Sequence, residues 1–489
     1  MIAYIIFIFL AIIAILRYVP GLRIPNSSPW LLPAGFVIKV SVGMFFLYIY
    51  SYHYGVGELT ADPSAFMIES KILNATFYES PSAYLRFLTG LDNKELVVQY
   101  LSETTQWDAG SSKYFNDTRN LLRLHSLIHF ISFNQTAIHL FVVSFISLLG
   151  LRFMTLAVIP YTQLKATIVF LALLLMPNAL FWSSGLLKEP LIFFSIGLFI
   201  YSVLSTHSFP KKLVLIILSI ACLAGIKPYI LLCIIPAVVI FVLFQYLKQI
   251  RTAFIITIVL ITGVLLSLLT PPLHPVVKKL SDQQFDFVNI GKGGVFARAD
   301  TCIYIIAGED MPHVIVNHTD STVILTQEIV GDYILPNAKK DKKRCMIQPN
   351  EIPWKMYYDG EFSGSYIEIT PIEQSGTQLL KNIPEAITNV AIRPYPNDPP
   401  ASVFKYFSLI DGWGLYLLLI ATLLFFRREI NRKELSIIVA LFVFSLILAL
   451  LIGWTTPVLG AIIRYKVPIQ LAMMVVTLIV FNPKRLKNE

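Results

Sequence analysis

Residues 435–453 read LSIIVALFVFSLILALLIG and contain no charged side chain. An α-helix of about 20 apolar residues is long enough to cross the ~30 Å hydrocarbon core of a bilayer, so this stretch predicts a transmembrane helix. The residues just before it are basic, and basic residues that flank a span favour the cytoplasmic side of a membrane. They are Arg427, Arg428, Arg432 and Lys433.

The composition extends this interpretation to the whole chain. Of the 489 residues, 56% are hydrophobic and 14% are charged, and the mean hydropathy is +0.68. A soluble globular protein carries about 25% charged residues, so a single water-soluble domain is excluded. Disordered, collagen-like and small disulfide-rich proteins and cytosolic nucleotide enzymes are excluded as well. The formal net charge of +9 would suggest a nucleic-acid partner in a soluble protein. In a membrane protein, basic residues are expected in the loops beside the bilayer, so no nucleic-acid partner is predicted.

The apolar segments divide the chain into five regions. We predict an all-α polytopic membrane protein with about eleven transmembrane helices. Two helices lie in 1–53, six in 136–270 and three in 407–489, whereas the polar stretches 54–135 and 271–406 are large loops. The segments are 2–16, 33–53, 136–158, 166–182, 190–206, 212–225, 229–247, 252–270, 407–426, 435–453 and 458–481.

The basic residues also predict the orientation in the membrane. Lys484, Arg485 and Lys487 in the C-terminal tail are expected in the cytoplasm, together with the basic loop before residue 435. An odd number of spans then places the N-terminus outside. Both large loops consequently face the extracytoplasmic side, where we expect the functional site.

The two outer loops predict different local structures. Residues 85–88 and 121–128 have a helical apolar spacing that suits helices lying in the membrane interface. Residues 302–306, 313–316 and 321–325 are strand-like. The second loop is therefore predicted to contain a small β-rich domain, although it could equally be a lid over the membrane part.

Cysteine usage and short motifs restrict the chemistry. Cys302 and Cys345 share the second outer loop and form a disulfide if that side is oxidising, or otherwise remain two free thiols. No zinc-ligand, Walker A or dinucleotide-binding pattern is present in the sequence, so neither a metal nor a cofactor is expected.

Ionisable residues at the outer ends of predicted spans are the most informative feature. A charge at membrane depth costs about 2.5–3.5 kcal/mol on insertion scales, so each such residue needs a reason. One explanation is snorkelling, or ion pairs that hold helices together. The other is a positive outer vestibule that binds the phosphate or pyrophosphate of a lipid head group. The residues are Lys188, Glu189, Lys227, Asp411, Arg464 and Lys466, with Arg393 just before the ninth span.

Asp62 is the candidate catalytic residue. It follows the second predicted span in a stretch with two glycines and a proline, residues 54–63, which allows the loop to fold back toward the membrane surface. A carboxylate facing a cationic phosphate site could take a proton from a sugar hydroxyl. The alternative is that Asp62 caps a helix that starts at Pro63, and one residue can do both.

Four short sequences carry a family resemblance. PNALFWSSGLLKEP (177–190), GIKPY (225–229), IRPYP (392–396) and GAIIRYKVP (460–468), with Arg119 and Arg123 in the first loop, resemble a largely uncharacterised family of polytopic membrane proteins from Bacteroidetes-type genomes. More distantly, the layout looks like Wzy-type polysaccharide polymerases and GT-C membrane glycosyltransferases. This resemblance implies a bacterial inner-membrane location, an outward active site and a polyprenyl-phosphate- or -pyrophosphate-linked glycan as substrate.

The interpretation that follows is a membrane glycosyltransferase or polysaccharide polymerase with a GT-C-like architecture. Asp62 would activate the acceptor, and Glu189 and Asp411 would support the cations. Lys188, Lys227 and Arg464 are predicted to line one outward cavity roofed by the 271–406 loop. The alternatives are a transporter or flippase of lipid-linked or anionic solutes, and a non-catalytic scaffold of a cell-envelope complex. The predicted phosphate-binding residues are Lys188, Lys227, Arg393, Arg464 and Lys466.

Overall fold

The computed structural model consists of two compact units. The first comprises Met1–Phe241, Leu415–Phe444 and Gln470–Glu489, and the second comprises Val242–Gly414 and Ser445–Ile469. The structure describes residues 1–104, 107, 113–247, 249–291, 295–299, 302–305, 313–317, 320, 322–327, 329–334, 342–347, 349, 354–358, 363–400, 403–427 and 429–483.

Most of the described chain is helical. In chain order the helices are α1 (Ile2–Tyr18), α2 (Leu31–Tyr48), α3 (Ala61–Glu79), α4 (Pro81–Thr89), α5 (Lys94–Tyr100), α6 (Asp117–Ser132), α7 (Thr136–Val158), α8 (Ala166–Leu174), α9 (Pro177–Trp182), α10 (Glu189–Leu204), α11 (Phe209–Ile226), α12 (Pro228–Tyr246), α13 (Ile250–Ser267), α14 (His274–Gly291), α15 (Gly376–Lys381), α16 (Ile383–Ala391), α17 (Val403–Leu424), α18 (Arg432–Thr455), α19 (Leu459–Tyr465) and α20 (Val467–Val480).

The structure supports a polytopic membrane protein but does not confirm eleven spans. Among the described residues, seven helices are long and apolar enough to cross a membrane, or eight if α19 and α20, which are bent by 42°, form one span. The 17 residues of α1 extend about 25 Å at 1.5 Å per residue, less than the hydrocarbon core. α10 is shorter still, and segment 166–182 is divided into α8 and α9 by Pro177.

The apolar stretch 435–453 lies in α18, and the contacts at the start of this helix explain why it begins there. Asn431 Oδ1 accepts a hydrogen bond from the Glu434 amide, and Glu434 Oε2 accepts one from the Asn431 amide, each at 2.9 Å. This reciprocal capping box satisfies two amides at the helix N-terminus. Arg427 Nη1 lies 2.9 Å from Glu434 Oε1, so one of the predicted cytoplasmic arginines forms an ion pair with the capping residue.

The first unit is built around α7, which packs closely against α10. A β-carbon added at Gly150 would lie 2.4 Å from the Phe193 carbonyl oxygen, and one added at Gly197 would lie 2.1 Å from the Gly150 carbonyl oxygen. Such contacts leave no room for a side chain, so the two backbones touch directly. Small residues at helix interfaces permit this close approach in membrane proteins.

The first large loop contributes helices α3 to α6 to the core of this unit. The predicted helical stretches 85–88 and 121–128 lie in α4 and α6. α6 buries apolar residues such as Leu121 and Leu122 and also polar ones such as His125 and Ser126. α6 therefore packs on α3 in the core of this unit, and its location in the membrane interface stays a prediction.

The second unit contains a seven-stranded antiparallel sheet in the order β3-β4-β7-β1-β2-β5-β6. The predicted strand-like stretches correspond to β2, β3 and β4. The strands are β1 (Val295–Ala299), β2 (Cys302–Ile305), β3 (Val314–Asn317), β4 (Thr322–Leu325), β5 (Ile329–Ile334), β6 (Lys342–Ile347) and β7 (Trp354–Tyr358).

A buried glutamine organises the helical part of the second unit. Gln284 in α14 donates from Nε2 to the carbonyls of Trp454 at 2.8 Å and Thr370 at 3.0 Å, and its Oε1 accepts from the Ile372 amide at 2.9 Å. One side chain thus satisfies three backbone groups from two distant segments. Unpaired buried backbone groups are costly, so Gln284 stabilises this packing.

Candidate functional site

Two lysines from distant parts of the chain meet at one carboxylate. Lys188 Nζ lies 2.8 Å from Asp117 Oδ2, and Lys227 Nζ lies 3.5 Å from the same oxygen. The two ammonium groups are therefore no farther apart than the sum of these distances, about 6.3 Å. Both lysines are 12% exposed and Asp117 is 31% exposed, so the site is shielded but open to solvent on one side.

The start of α6 explains the position of Asp117. The side-chain oxygen of Asn116 accepts a hydrogen bond from the Arg119 amide at 2.9 Å, the usual N-cap contact. Asp117 follows in the first turn, where the helix dipole favours a negative charge. Thr118 adds a contact, because its Oγ1 accepts a hydrogen bond from Lys188 Nζ at 3.0 Å. The N-terminus of α6 therefore presents two oxygen acceptors, from Asp117 and Thr118, to Lys188.

Lys227 is placed by the break between α11 and α12. A residue before proline avoids the helical conformation, and Lys227, which precedes Pro228, has φ −148° and ψ 77°. Asn120 of α6 donates a hydrogen bond from Nδ2 to the Gly225 carbonyl at 2.8 Å. A β-carbon at Gly225 would lie 3.0 Å from that nitrogen, so glycine permits the contact. This bond ties the end of α11 to the helix that carries Asp117.

Asp62 belongs to the same group of charges. It is exposed in the first turn of α3. Burial lowers the pKa of Lys188, and the negative charges of Asp117 and, more weakly, Asp62 oppose this shift. Burial raises the pKa of Asp117, but Lys188 and Lys227 outweigh burial and hold this pKa below its usual value. Asp117 is therefore ionised at neutral pH. We call Asp62, Asp117, Lys188 and Lys227 the lysine–aspartate cluster.

The neighbouring arginines of α6 have a different environment. The guanidinium carbons of Arg119 and Arg123 lie 4.9 and 5.3 Å from the centre of the Trp107 ring. Arg119 Nη1 also lies 3.8 Å from Asp92 Oδ2, and both side chains of this pair are buried. Arg119 and Arg123 therefore stabilise the packing of the first loop by cation–π and ionic contacts.

The second unit contains the other predicted cations, two of which stabilise the segment before α17. Arg393 forms an ion pair with Asp398, with 2.8 Å between Nη1 and Oδ1. Lys466 is 3% exposed and donates to two backbone carbonyls at 2.6 and 3.4 Å, and Asp411 is close enough to attract its ammonium group. A phosphate would compete with these contacts. Phosphate binding by Arg393 and Lys466 stays a prediction.

Four further predicted residues complete the set. Arg464 is half-buried in the last turn of α19, and Glu189 is buried in the first turn of α10. Cys302 lies in β2 and Cys345 in β6, and their side chains fall outside the described residues, so the disulfide stays a prediction. The cavity predicted for Arg464 with Lys188 also stays a prediction, since these two residues belong to different units.

No family model, curated protein or solved structure matches this chain. Among the described residues, no group of three or more histidine, cysteine, aspartate or glutamate side chains could hold a metal ion. The chemistry has to be inferred from the lysine–aspartate cluster itself.

Sequence reasoning assigned no role to Asp117 or Asn120. A local signal existed, because Asn116 followed by an acidic residue ahead of the apolar stretch 121–128 is typical of a helix N-terminus. That signal predicts the helix start but not the partners of the carboxylate. The two lysines that contact Asp117 lie 71 and 110 residues farther along the chain, and only the folded structure brings them there.

Proposed function

We propose that this protein is a membrane glycosyltransferase or polysaccharide polymerase that uses a sugar linked to a polyprenyl phosphate or pyrophosphate. The convergence of Lys188 and Lys227 on one oxygen of Asp117 supports the proposal. The distances are those of ammonium–oxygen contacts, and a phosphate oxygen can replace the carboxylate oxygen with the same chemistry. The cluster as a whole carries two lysines and two aspartates, so an anionic head group would bind by displacing the Asp117 carboxylate from Lys188 and Lys227.

The two carboxylates have different roles in this proposal. Asp117 carries a lowered pKa because of the two lysines, which makes it a weak base and a suitable counter-ion. Asp62 is exposed at the same cluster and is the candidate general base for the acceptor hydroxyl. Lys188 and Lys227 would stabilise the negative charge that develops on the departing phosphate.

The proposed membrane topology adds the number of segments and their orientation to the seven or eight candidate spans of the structure. We retain eleven membrane segments with a GT-C-like arrangement in the bacterial inner membrane, the N-terminus outside and the C-terminus in the cytoplasm. A cysteine introduced at Glu489, the last residue, should be shielded from an impermeant thiol reagent in intact cells. Labelling there would reverse the orientation and place the large loops in the cytoplasm.

Three variants test the function. Lys188→Ala and Lys227→Ala should weaken binding of undecaprenyl phosphate to the purified protein by tenfold or more and abolish polymer formation in cells that lack the native copy. Lys211→Ala is the matched control, because Lys211 is exposed at the other end of α11. Native mass spectrometry measures binding, and the amount of polysaccharide extracted from the cells measures polymer formation. Wild-type binding and polymer from both cluster variants would overturn the proposal.

A transporter or flippase is the second candidate, and a specific observation favours it. α19 and α20 are bent by 42°, and residues 183–188 interrupt two apolar helices. Discontinuous helices are common at the substrate sites of transporters. The variant Asp62→Asn separates the two functions, since a glycosyltransferase should lose product formation whereas a flippase should still move a fluorescent lipid-linked sugar across proteoliposomes.

A further inference from the structure

Lys39 is a fully buried lysine within a predicted span, and the proposed function does not use it. It lies in α2, its side chain is 0% exposed, and its Nζ donates a hydrogen bond to Ser183 Oγ at 2.7 Å. The ammonium group is also 5.9 Å from the centre of the Phe193 ring. No carboxylate contacts it in the part of the chain that the structure describes. An ionisable residue in such a place is costly and calls for a functional reason.

Lys39 lies where α2 packs against residues 183–185, which follow α9. Lys39, Gly43 and Phe46 lie on one side of α2, because helical residues spaced by three or four share a face. Ser183 contacts Lys39, the Ser184 carbonyl oxygen would lie 2.6 Å from a β-carbon at Gly43, and a β-carbon at Gly185 would lie 2.9 Å from the Phe46 ring. Residues 183, 184 and 185 therefore contact residues 39, 43 and 46 of α2 in the same order.

This segment leads directly to the lysine–aspartate cluster. Residues 183–188 connect α9 to α10 without helical structure, and residues 183–187 are buried. Its first residue is held by Lys39, and its last residue, Lys188, contacts Asp117 at 2.8 Å. Buried non-helical backbone needs protein around it to satisfy its polar groups, and α2 is one of the elements that enclose this segment.

We propose that Lys39 is a positioning residue, which holds segment 183–188 through Ser183 so that Lys188 faces Asp117 and the phosphate ligand. This inference rests on the proposed function for the ligand, but the positioning itself is a property of the fold. Lys39 does not touch the ligand in this proposal.

The proposal separates stability from ligand binding. An apolar side chain of similar length at position 39 removes a buried charge, which is often neutral or stabilising when the partner can remain uncharged. Lys39→Met should therefore unfold at the wild-type temperature or higher and still bind undecaprenyl phosphate at least fivefold more weakly. A lysine needed only for folding would give a lower unfolding temperature.

Serine variants provide the matched comparison. Ser183→Ala removes the acceptor of Lys39, so it should weaken binding and lower the unfolding temperature by leaving the ammonium group without that hydrogen bond. The double variant Lys39→Met/Ser183→Ala should regain the unfolding temperature but not the affinity. Ser184→Ala is the control, because this buried hydroxyl has no hydrogen-bond partner among the described residues, and it should bind as the wild type does.

A ligand-independent measurement distinguishes failure of this inference from failure of the proposed function. If Lys188→Ala binds undecaprenyl phosphate normally, the proposed function is wrong. The rate at which a water-soluble thiol reagent modifies Lys188→Cys still tests the positioning, and adding Lys39→Met should change this rate at least threefold. Normal ligand affinity of Lys39→Met while Lys188→Ala binds weakly, or an unchanged modification rate, would overturn the positioning role.

Discussion

Acidification is expected to destabilise the first unit through its buried histidines. His125 Nδ1 of α6 and His139 Nδ1 of α7 are 2.9 Å apart, and both side chains are fully buried. Such a bond needs one nitrogen that carries a proton and one that accepts it. Ser132 Oγ lies 2.8 Å from His139 Nε2, and the His129 and His139 ring centres are 4.4 Å apart. Protonation of both rings would place two N–H groups head to head in a fully buried site.

The size and sign of the effect follow from His125. Burial, and secondarily the nearby His129, lowers the pKa of His125 from 6.5 to about 3. The folded protein therefore binds fewer protons than the unfolded chain, so stability is complete above pH 6.5 and decreases as the pH falls toward 3. One pKa unit corresponds to about 1.4 kcal/mol, so protonation of His125 alone should reduce the unfolding free energy by about 3 kcal/mol at pH 4.5.

Thermal unfolding in detergent, followed by tryptophan fluorescence at pH 7.5 and pH 4.5, measures this loss. His125→Gln, which cannot titrate at this position, should lose about 3 kcal/mol less stability between the two values than the wild type, because only the His125 share is removed. His274→Gln is the control, because His274 is exposed. The pKa of Asp117 lies below its usual value, so the loss of stability that follows from protonating Asp117 occurs at a lower pH than the loss from His125. Equal wild-type stability at both pH values, or an equal loss in His125→Gln, would refute the reasoning.

Three further substitutions test other parts of the structure. Asp117→Asn leaves Lys188 and Lys227 without their shared carboxylate and should reduce the unfolding free energy by about 1–3 kcal/mol in thermal unfolding, an effect that would be absent if the ion pairs did not form. Gly150→Ala should cost about 1–3 kcal/mol by overpacking against α10, whereas Gly263→Ala, with open space around it, should cost nothing. Asn120→Ala should release the end of α11 and weaken undecaprenyl phosphate binding severalfold in native mass spectrometry, and unchanged affinity would contradict its role.

The helical part of the fold was largely predictable because it depends on local patterns. Each of the eleven apolar segments is mostly helical in the described chain. Their ability to span was harder to judge, because hydropathy does not show where a helix stops. Segment 166–182 is continuous in apolarity, but Pro177 divides it, since proline lacks the amide donor that a continuous helix needs. Of the seven strands, the three with clear local signals were predicted, and the others depend on pairing between distant segments.

The functional residues show the same division. Lys188 and Lys227 stand out in the sequence because charges are scarce at the ends of apolar segments. Asp117 and Asn120 do not, because an acidic residue or an amide in a polar loop is ordinary. Lys39 lies inside an apolar stretch, and the sequence does not show that its partner is Ser183, 144 residues away.

The sequence by itself determined that this chain is an apolar, multi-helix protein with unusual charges near the ends of its helices, because helix formation and membrane compatibility depend on residues within a few turns of one another. Only the tertiary structure decided which charges meet. The contact of Lys188 and Lys227 with Asp117 depends on how α6, α10 and α11 pack, and on the glycines at 43, 185 and 225 that allow close approach. A side chain's nearest charge is set by that packing, which no local pattern encodes.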